Sequence, residues 1–257
     1  MNRKTTLITG ASGGIGLEFA RLFAGDGYDL VLVARRINEL EKLKTELEKG
    51  SKVSVRVIQK DLAKPTSAEE LFNELEQTQI DVLVNNVGFG SVGNFQETDW
   101  DVHNSMMNVN IIVLVHLTRL FLSGMVKRGS GKILNVASTA AFQPGPFMAV
   151  YYATKSFVVS FSQAIATELE GSGVTVTCLC PGPTVSGFQN TAGMKKSKIM
   201  KLLKFSSSHD AALYGYHAMN KGKRLAIQGL MNRIFVCLVK FIPAGFVLKL
   251  IRYLHKK

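Results

Sequence analysis

The chain has 257 residues, of which 46% are hydrophobic, enough to bury the core of one α/β domain and too apolar for a disordered chain. Its three cysteines make no disulfide framework, and no His/Cys spacing suggests a metal site. The formal charge of +12 is unevenly placed: residues 1–189 carry 17 Lys+Arg against 18 Asp+Glu, whereas residues 190–257 carry 14 against the single acid Asp210. Such a basic end suits anionic lipid, an acidic carrier protein or a phosphorylated substrate handle. Nucleic acid is not expected, because no binding motif accompanies the charge.

From the amino end, "MNRKTTLITG" is basic but lacks the long apolar run and small-residue cleavage site of an export signal, so a cytoplasmic setting is expected. Short aliphatic runs then alternate with helical patterns, which predicts βαβ units and a parallel sheet. Seven strands are expected at Thr6–Thr9, Leu30–Ala34, Val53–Ile58, Val82–Asn85, Lys132–Val136, Val174–Cys180 and Arg224–Ile227. Between them, apolar positions 37, 40, 43 and 47, closed by Gly50, mark an amphipathic helix, and "TSAEELFNELEQ" marks another. Cys178 and Cys180 fall on one face of a strand and read as packing residues. No linker or internal repeat divides the chain.

The first strand runs into "ITGASGGIGLEFARLFA". Glycines there permit a tight turn and let backbone amides approach a pyrophosphate at the positive end of a helix. Further on, "AVYYATKSF" places Tyr151 one helical turn before Lys155, with Tyr152 rotated about 100° away. An ammonium beside a phenol favours the phenolate, so a lowered Tyr151 pKa and acid/base work near neutrality are expected. The alternative is an aromatic pair packing a helix.

Taken together, these motifs resemble those of the short-chain dehydrogenase/reductase family, from about residue 4 to residue 228. The family's T-G-x-x-x-G-x-G is matched by Thr9, Gly10, Gly14 and Gly16. Its N-N-A-G becomes "NNVG" at 85–88, and its active-site asparagine aligns with Asn110, with Asn108 as a rival. Ser138 ends the fifth strand, Tyr151 follows thirteen residues later, and Pro181-Gly182 supplies the turn after strand six. The similarity, closest to bacterial hydroxysteroid dehydrogenases and 3-oxoacyl reductases, implies a Rossmann-type doubly wound seven-stranded parallel sheet flanked by helices.

The resemblance implies a catalytic set of Asn110, Ser138, Tyr151 and Lys155: Tyr151 as proton donor, Ser138 on the carbonyl oxygen, Lys155 tuning the phenol and binding the nicotinamide ribose, Asn110 holding a water. It implies cofactor contacts from Thr9, Gly10, Ser12, Gly14, Ile15, Gly16, Asp61, Asn86, Gly88, Tyr151, Lys155, Pro181 and Gly182. At the end of strand two, "LVLVARR" has Ala34 where an acid would receive ribose hydroxyls, and Arg35 followed by Arg36 suits a 2′-phosphate. NADP(H) is therefore favoured over NAD(H), with Arg35 as the contact. The implied activity is reversible reduction of a ketone, aldehyde or 3-oxoacyl carbonyl; a nucleotide sensor or scaffold without turnover is the alternative. Family habit implies a homodimer or homotetramer.

Two segments bear on substrate and partners. Residues 184–208 close the substrate pocket by resemblance, and Met194, Ile199, Met200, Leu202 and Leu203 among lysines would give an apolar underside with a basic rim, suited to an acyl or steroid-like guest. Residues 1–228 form the expected catalytic domain, and 229–257 a basic amphipathic extension. There, Lys249, Arg252 and Lys256 oppose Val247, Leu250, Ile251 and Leu254. That extension could lie on an anionic membrane surface, cover the pocket or join an oligomer interface.

Overall fold

The computed structural model describes residues 3–185, 187–188, 192–193 and 205–255. Seven parallel strands form one sheet in the order β3-β2-β1-β4-β5-β6-β9: β1 Thr5–Thr9, β2 Asp29–Ala34, β3 Val55–Gln59, β4 Val82–Asn85, β5 Gly131–Val136, β6 Val174–Cys180 and β9 Leu225–Ile227. All seven expected strands are present, with ends moved by at most a few residues. Two short strands, β7 (Thr184–Val185) and β8 (Ser206–Ser207), pair in parallel and were not expected. They tie together the two ends of the 184–208 segment. Its apolar positions 194, 199, 200, 202 and 203 lie outside the described residues.

Alternation along each strand sends neighbours to opposite faces of the sheet. On one face Ile8, Leu32 and Leu134 pack under helices α1 (Gly14–Gly25) and α2 (Ile37–Gly50), with Phe19, Phe23 and Leu40 between. Helix α7 (Ser208–Asn220) completes that layer through Ala212 and Tyr216. On the other face Leu7, Val33, Leu83 and Ile133 meet α3 (Ser67–Glu74) and α5 (Val113–Arg128), with Leu71, Leu117 and Phe121 between. Both faces are closed by the chain itself.

A 29-residue helix, Trp100–Arg128, is long and apolar enough to cross a membrane, but its Val113, Leu117, Phe121 and Met125 are buried against the sheet. It comprises α4 (Trp100–Met107), a π-helical turn at Asn108–Ile112, and α5. Helix α6 (Ala149–Glu168) lies alongside and buries Tyr151, Lys155, Val158, Val159, Ser162 and Ala166, a face that repeats every three or four residues. A buried polar chain reaches α6 at Ser162. The Asn85 Nδ2 donates to Asn135 Oδ1 (2.9 Å) and Thr118 Oγ1 (3.1 Å), and Asn135 Nδ2 donates to Ser162 Oγ (2.9 Å). These bonds tie β4, β5, α5 and α6 together where apolar packing alone would leave their register free.

The strand order reverses between β1 and β4, which opens a crevice at their carboxyl ends. Helices α8 (Leu230–Val239) and α9 (Ala244–His255) end the described chain.

Candidate active site

The crevice begins at Thr9, the last residue of β1. Gly10 has φ +69°, and a Cβ on it would stand 2.9 Å from Asn86 Nδ2. At Gly16 an added Cβ would come within 2.5 Å of both Gly10 O and Asn86 Nδ2, so this approach admits no side chain. Asn86 holds the turn: its Nδ2 donates to Thr9 O (2.9 Å) and Gly10 O (3.3 Å). In return, Thr9 Oγ1 accepts from the amides of Asn86 (3.0 Å) and Val87 (3.1 Å). Helix α1 then starts at Gly14 with no capping side chain and no acid in its first turn. Its positive end faces the crevice uncompensated, which suits an anion.

Of the other sequence-expected cofactor positions, Ile15 is half-buried against the core and Ser12 lies under an arginine. That arginine is Arg36, whose Nη2 donates to Ser12 O (3.0 Å) and Ser12 Oγ (3.1 Å). Arg35 is exposed and meets Gln59 through its backbone carbonyl, so Arg36 is the side chain on the glycine turn. Asp61 Oδ1 accepts from Ala63 N (3.1 Å) at the end of β3.

Across the crevice, Ser138 follows β5 in extended conformation, and its Oγ accepts from Ala140 N (3.1 Å). Tyr151 and Lys155 stand one turn apart on α6, both almost wholly buried, with the lysine Nζ 5.9 Å from the tyrosine ring centre. Lys155 Nζ donates to Val136 O (2.9 Å). Gly88 lies over this group: a Cβ there would stand 3.0 Å from Asn110 Oδ1 and 3.3 Å from Lys155 Nζ. Asn110, inside the π turn, donates from Nδ2 to Phe89 O (3.0 Å) and Thr154 Oγ1 (3.0 Å), and its Oδ1 accepts from Phe89 N (3.1 Å). Asn110 is thus the buried asparagine that binds the β4 loop to α6, while Asn108 is only half-buried. Pro181 O accepts from Thr139 N (2.9 Å), and Gly182 lies against Asn232 of α8.

Burial pushes the Tyr151 phenol up to about 12, with the Ser138 hydrogen bond pulling it the other way. This corrects the expected lowering. The same burial brings Lys155 down to about 8, against the opposing influence of Cys178 and Cys180. A cation disfavoured by its own desolvation, and turned toward a carbonyl, does not offset the cost of burying a phenolate. Tyr152 meets Tyr151 edge to ring at 6.0 Å and packs against Gly145, away from the cluster.

Residues 4–197 match the family model described as short chain dehydrogenase. The chain belongs to that family. Curated relatives of the chain include the very-long-chain 3-oxoacyl-CoA reductase of Pyrenophora tritici-repentis, 36% identical over 67% of the chain and 52% of the relative. Another is mouse 17-beta-hydroxysteroid dehydrogenase type 3, 34% identical over 68% of the chain and 58% of the relative. The match therefore spans little more than half the length of these relatives. Among solved structures, a Sphingobium yanoikuyae short-chain dehydrogenase in complex with NADPH superposes with a TM-score of 0.83 at 30% identity, covering 93% of this chain and 96% of that one.

Three contributors to the candidate site had little signal in the sequence. Phe147 adopts φ +68°, strained for a bulky residue, and its carbonyl accepts from Gly93 N (2.9 Å). Phe188 lies 5.2 Å from the Tyr151 ring, ring centre to ring centre. Thr154 anchors Asn110 and also donates to Tyr151 O (2.7 Å), a link visible only once α6 and the π turn face each other.

Proposed function

We propose that this chain is an NADP(H)-dependent oxidoreductase that interconverts a ketone, aldehyde or 3-oxoacyl carbonyl and the corresponding alcohol on an apolar or lipid-like substrate. The observation that carries the reading is the convergence of Ser138, Tyr151 and buried Lys155, in a chain whose α1 begins on an uncapped glycine turn. The turn suits a dinucleotide because Gly10 and Gly16 let it close tightly on Asn86, and α1 begins with no capping side chain and no acid in its first turn. The α1 amides and the glycine turn would hold the pyrophosphate, with Asn86 and Gly88 on the adenosine side. Arg36, with Arg35 beside it, would meet a 2′-phosphate; Asp61 would meet the adenine, and Lys155 the nicotinamide ribose.

The bound nicotinamide supplies or accepts the hydride. The protein's part is to meet the negative charge that grows on the carbonyl oxygen. Burial keeps the Tyr151 phenol protonated at neutral pH, ready to donate from its hydroxyl to that oxygen. Ser138 Oγ donates a second hydrogen bond to the same atom. Lys155, still largely protonated at pH 7, stabilises the phenolate left behind. Asn110 and Lys155 both flank Gly88, and a water between them would return the proton from solvent.

A groove of about 620 Å³ whose walls include Phe142, Pro144, Pro146, Tyr152 and Leu248 runs along the Tyr152 side of α6, and neither Ser138 nor Tyr151 lines it. An apolar guest is favoured by the relatives, a very-long-chain 3-oxoacyl-CoA reductase and a 17-beta-hydroxysteroid dehydrogenase.

The test is calorimetric titration with NADPH and NADH on the wild type, Arg35→Ala and Arg36→Ala, followed by a panel of apolar ketones and 3-oxoacyl thioesters. Preferential NADPH binding that weakens in Arg36→Ala, with NADPH oxidation by a panel member, is expected. Binding without turnover of any carbonyl would replace the enzyme with a nucleotide sensor.

A further inference from the structure

Among the described residues, 17 large hydrophobic side chains are exposed, and 11 of them lie between Leu230 and Tyr253. Helix α8 turns Val236 and Val239 inward, yet its outer side is a second apolar ridge of Leu230, Ile234 and Leu238 that continues into Phe241. Helix α9 buries Val247 and Ile251 and carries Phe246, Leu250 and Tyr253 along an exposed flank. Leu250, expected on one apolar face with Val247 and Ile251, is exposed while those two are buried. Exposure is greatest at the α8 start and the α8–α9 turn: Leu230 70%, Met231 75%, Phe241 81% and Phe246 69%. A helix apolar on both sides needs a nonaqueous neighbour on each.

Charge selects that neighbour. Lys240, Lys249 and Arg252 are exposed among these side chains and ion-pair with no carboxylate among the described residues. Residues 230–257 contain no Asp or Glu. In a two-fold dimer through this patch, each basic residue would meet the same all-basic surface on the second copy, and like charges would face each other. A surface of anionic headgroups over acyl chains complements both the cations and the apolar ridge. We propose that α8 and α9 form an interfacial docking surface for an anionic bilayer, with Phe241 and Phe246 entering the headgroup and acyl boundary and Lys240, Lys249 and Arg252 at the phosphates. Leu248, on α9, also walls the apolar groove, so docking would bring that groove to the lipid surface.

The test is flotation of the full chain with vesicles of phosphatidylcholine alone or with 30% phosphatidylglycerol (a probe composition of roughly physiological anionic content), at low and high salt. It is repeated on Phe241→Ser/Phe246→Ser and on Lys249→Glu/Arg252→Glu, with circular dichroism and NADPH titration as controls for folding and nucleotide binding. Binding to the anionic vesicles, weakened about tenfold by each double variant and by 0.5 M salt, is expected because apolar insertion and headgroup attraction act together. Equal binding to neutral vesicles, or none to either, would overturn the proposal. So would a wild-type oligomer that the phenylalanine variant splits in sedimentation velocity while vesicles leave it unchanged; that result would assign the patch to a second copy. Neither readout depends on carbonyl reduction, so failure here leaves the enzymatic proposal standing.

Discussion

Helices α5 and α8 are both rich in apolar residues at helical spacing, yet they end in opposite situations. Val113, Leu117, Phe121 and Met125 of α5 disappear against the sheet, while Leu230, Ile234 and Leu238 of α8 face outward. Hydrophobic periodicity identifies a face that needs covering; it does not say whether the same chain covers it. In the sheet region the chain closes its own surface, whereas at the carboxyl end, among the described residues, an apolar ridge stays exposed beside cations that ion-pair with no carboxylate.

The sharpest way to break this contrast is to disturb the closed region at the proposed proton donor. Tyr151→Phe is expected to lower carbonyl reduction by about 10³-fold with NADPH affinity nearly unchanged, since a positioned acid contributes on that order. Tyr152→Phe, which faces Gly145, should cost only about threefold or less. Steady-state kinetics beside cofactor titration would show it, and equal losses in the two variants would refute the division of roles.

Next come the stability effects. Leu83→Ala, at a fully buried position of β4, should lower unfolding free energy by about 3 kcal/mol, whereas Phe246→Ser on exposed α9 should change it by less than about 0.5 kcal/mol. Urea denaturation of both variants tests the contrast directly. Comparable losses would mean that α9 is packed more deeply than its exposure indicates.

A titration sharpens it further. Lys155 falls from its ordinary 10.5 to about 8 in the folded chain. Between those values the unfolded chain holds a proton that the folded chain lacks, so this group's contribution to stability rises with pH and its penalty is full below pH 8. From pH 7.5 to 9.5, nucleotide-free wild type should gain about 2 kcal/mol relative to Lys155→Met. The buried Tyr151, pushed up to about 12, works in the opposite direction only above pH 10. Parallel pH profiles for the two proteins would show that Lys155 does not bear its burial as a neutral amine.

The smallest effect concerns Arg36. Its guanidinium already lies on Ser12, so Arg36→Ala should reduce the preference for NADPH over NADH by about tenfold, and Arg35→Ala should do less. Competitive titration with both nucleotides measures the ratio. A larger change in Arg35→Ala would return the role to the residue first expected from sequence.

Much of the site was legible because its chemistry needs particular residue types at fixed local spacing. The glycine turn and the Tyr151–Lys155 turn were visible before any tertiary structure, and all seven strands followed from their aliphatic runs. The choice between Arg35 and Arg36 was not legible, because both are consecutive cations and only the path of the chain after β2 decides which crosses the glycine turn. The phenol shift was read with the wrong sign since local spacing shows the nearby ammonium but not the burial that opposes it. The strain at Phe147 and the β7–β8 pairing arise from contacts between distant segments. Leu250 shares an apolar face with Val247 and Ile251 on a helical wheel, yet only those two are buried and Leu250 is exposed.

The π turn at Asn108–Ile112 shows why one stripe on paper can be two in space. Buried positions 103, 106, 109, 113, 117, 121 and 125 keep an unbroken spacing of three or four residues, but Met106 packs beside Met148 and Tyr151 whereas Val113 and Leu117 pack beneath the sheet. The wider turn introduces an angular phase jump of about 100° relative to a regular α-helix, so one rod serves two compartments. Side-chain substitution cannot tune that phase. Only gain or loss of a residue within the turn can, and it would do so in one step, rotating everything that faces Tyr151 against everything that holds the sheet.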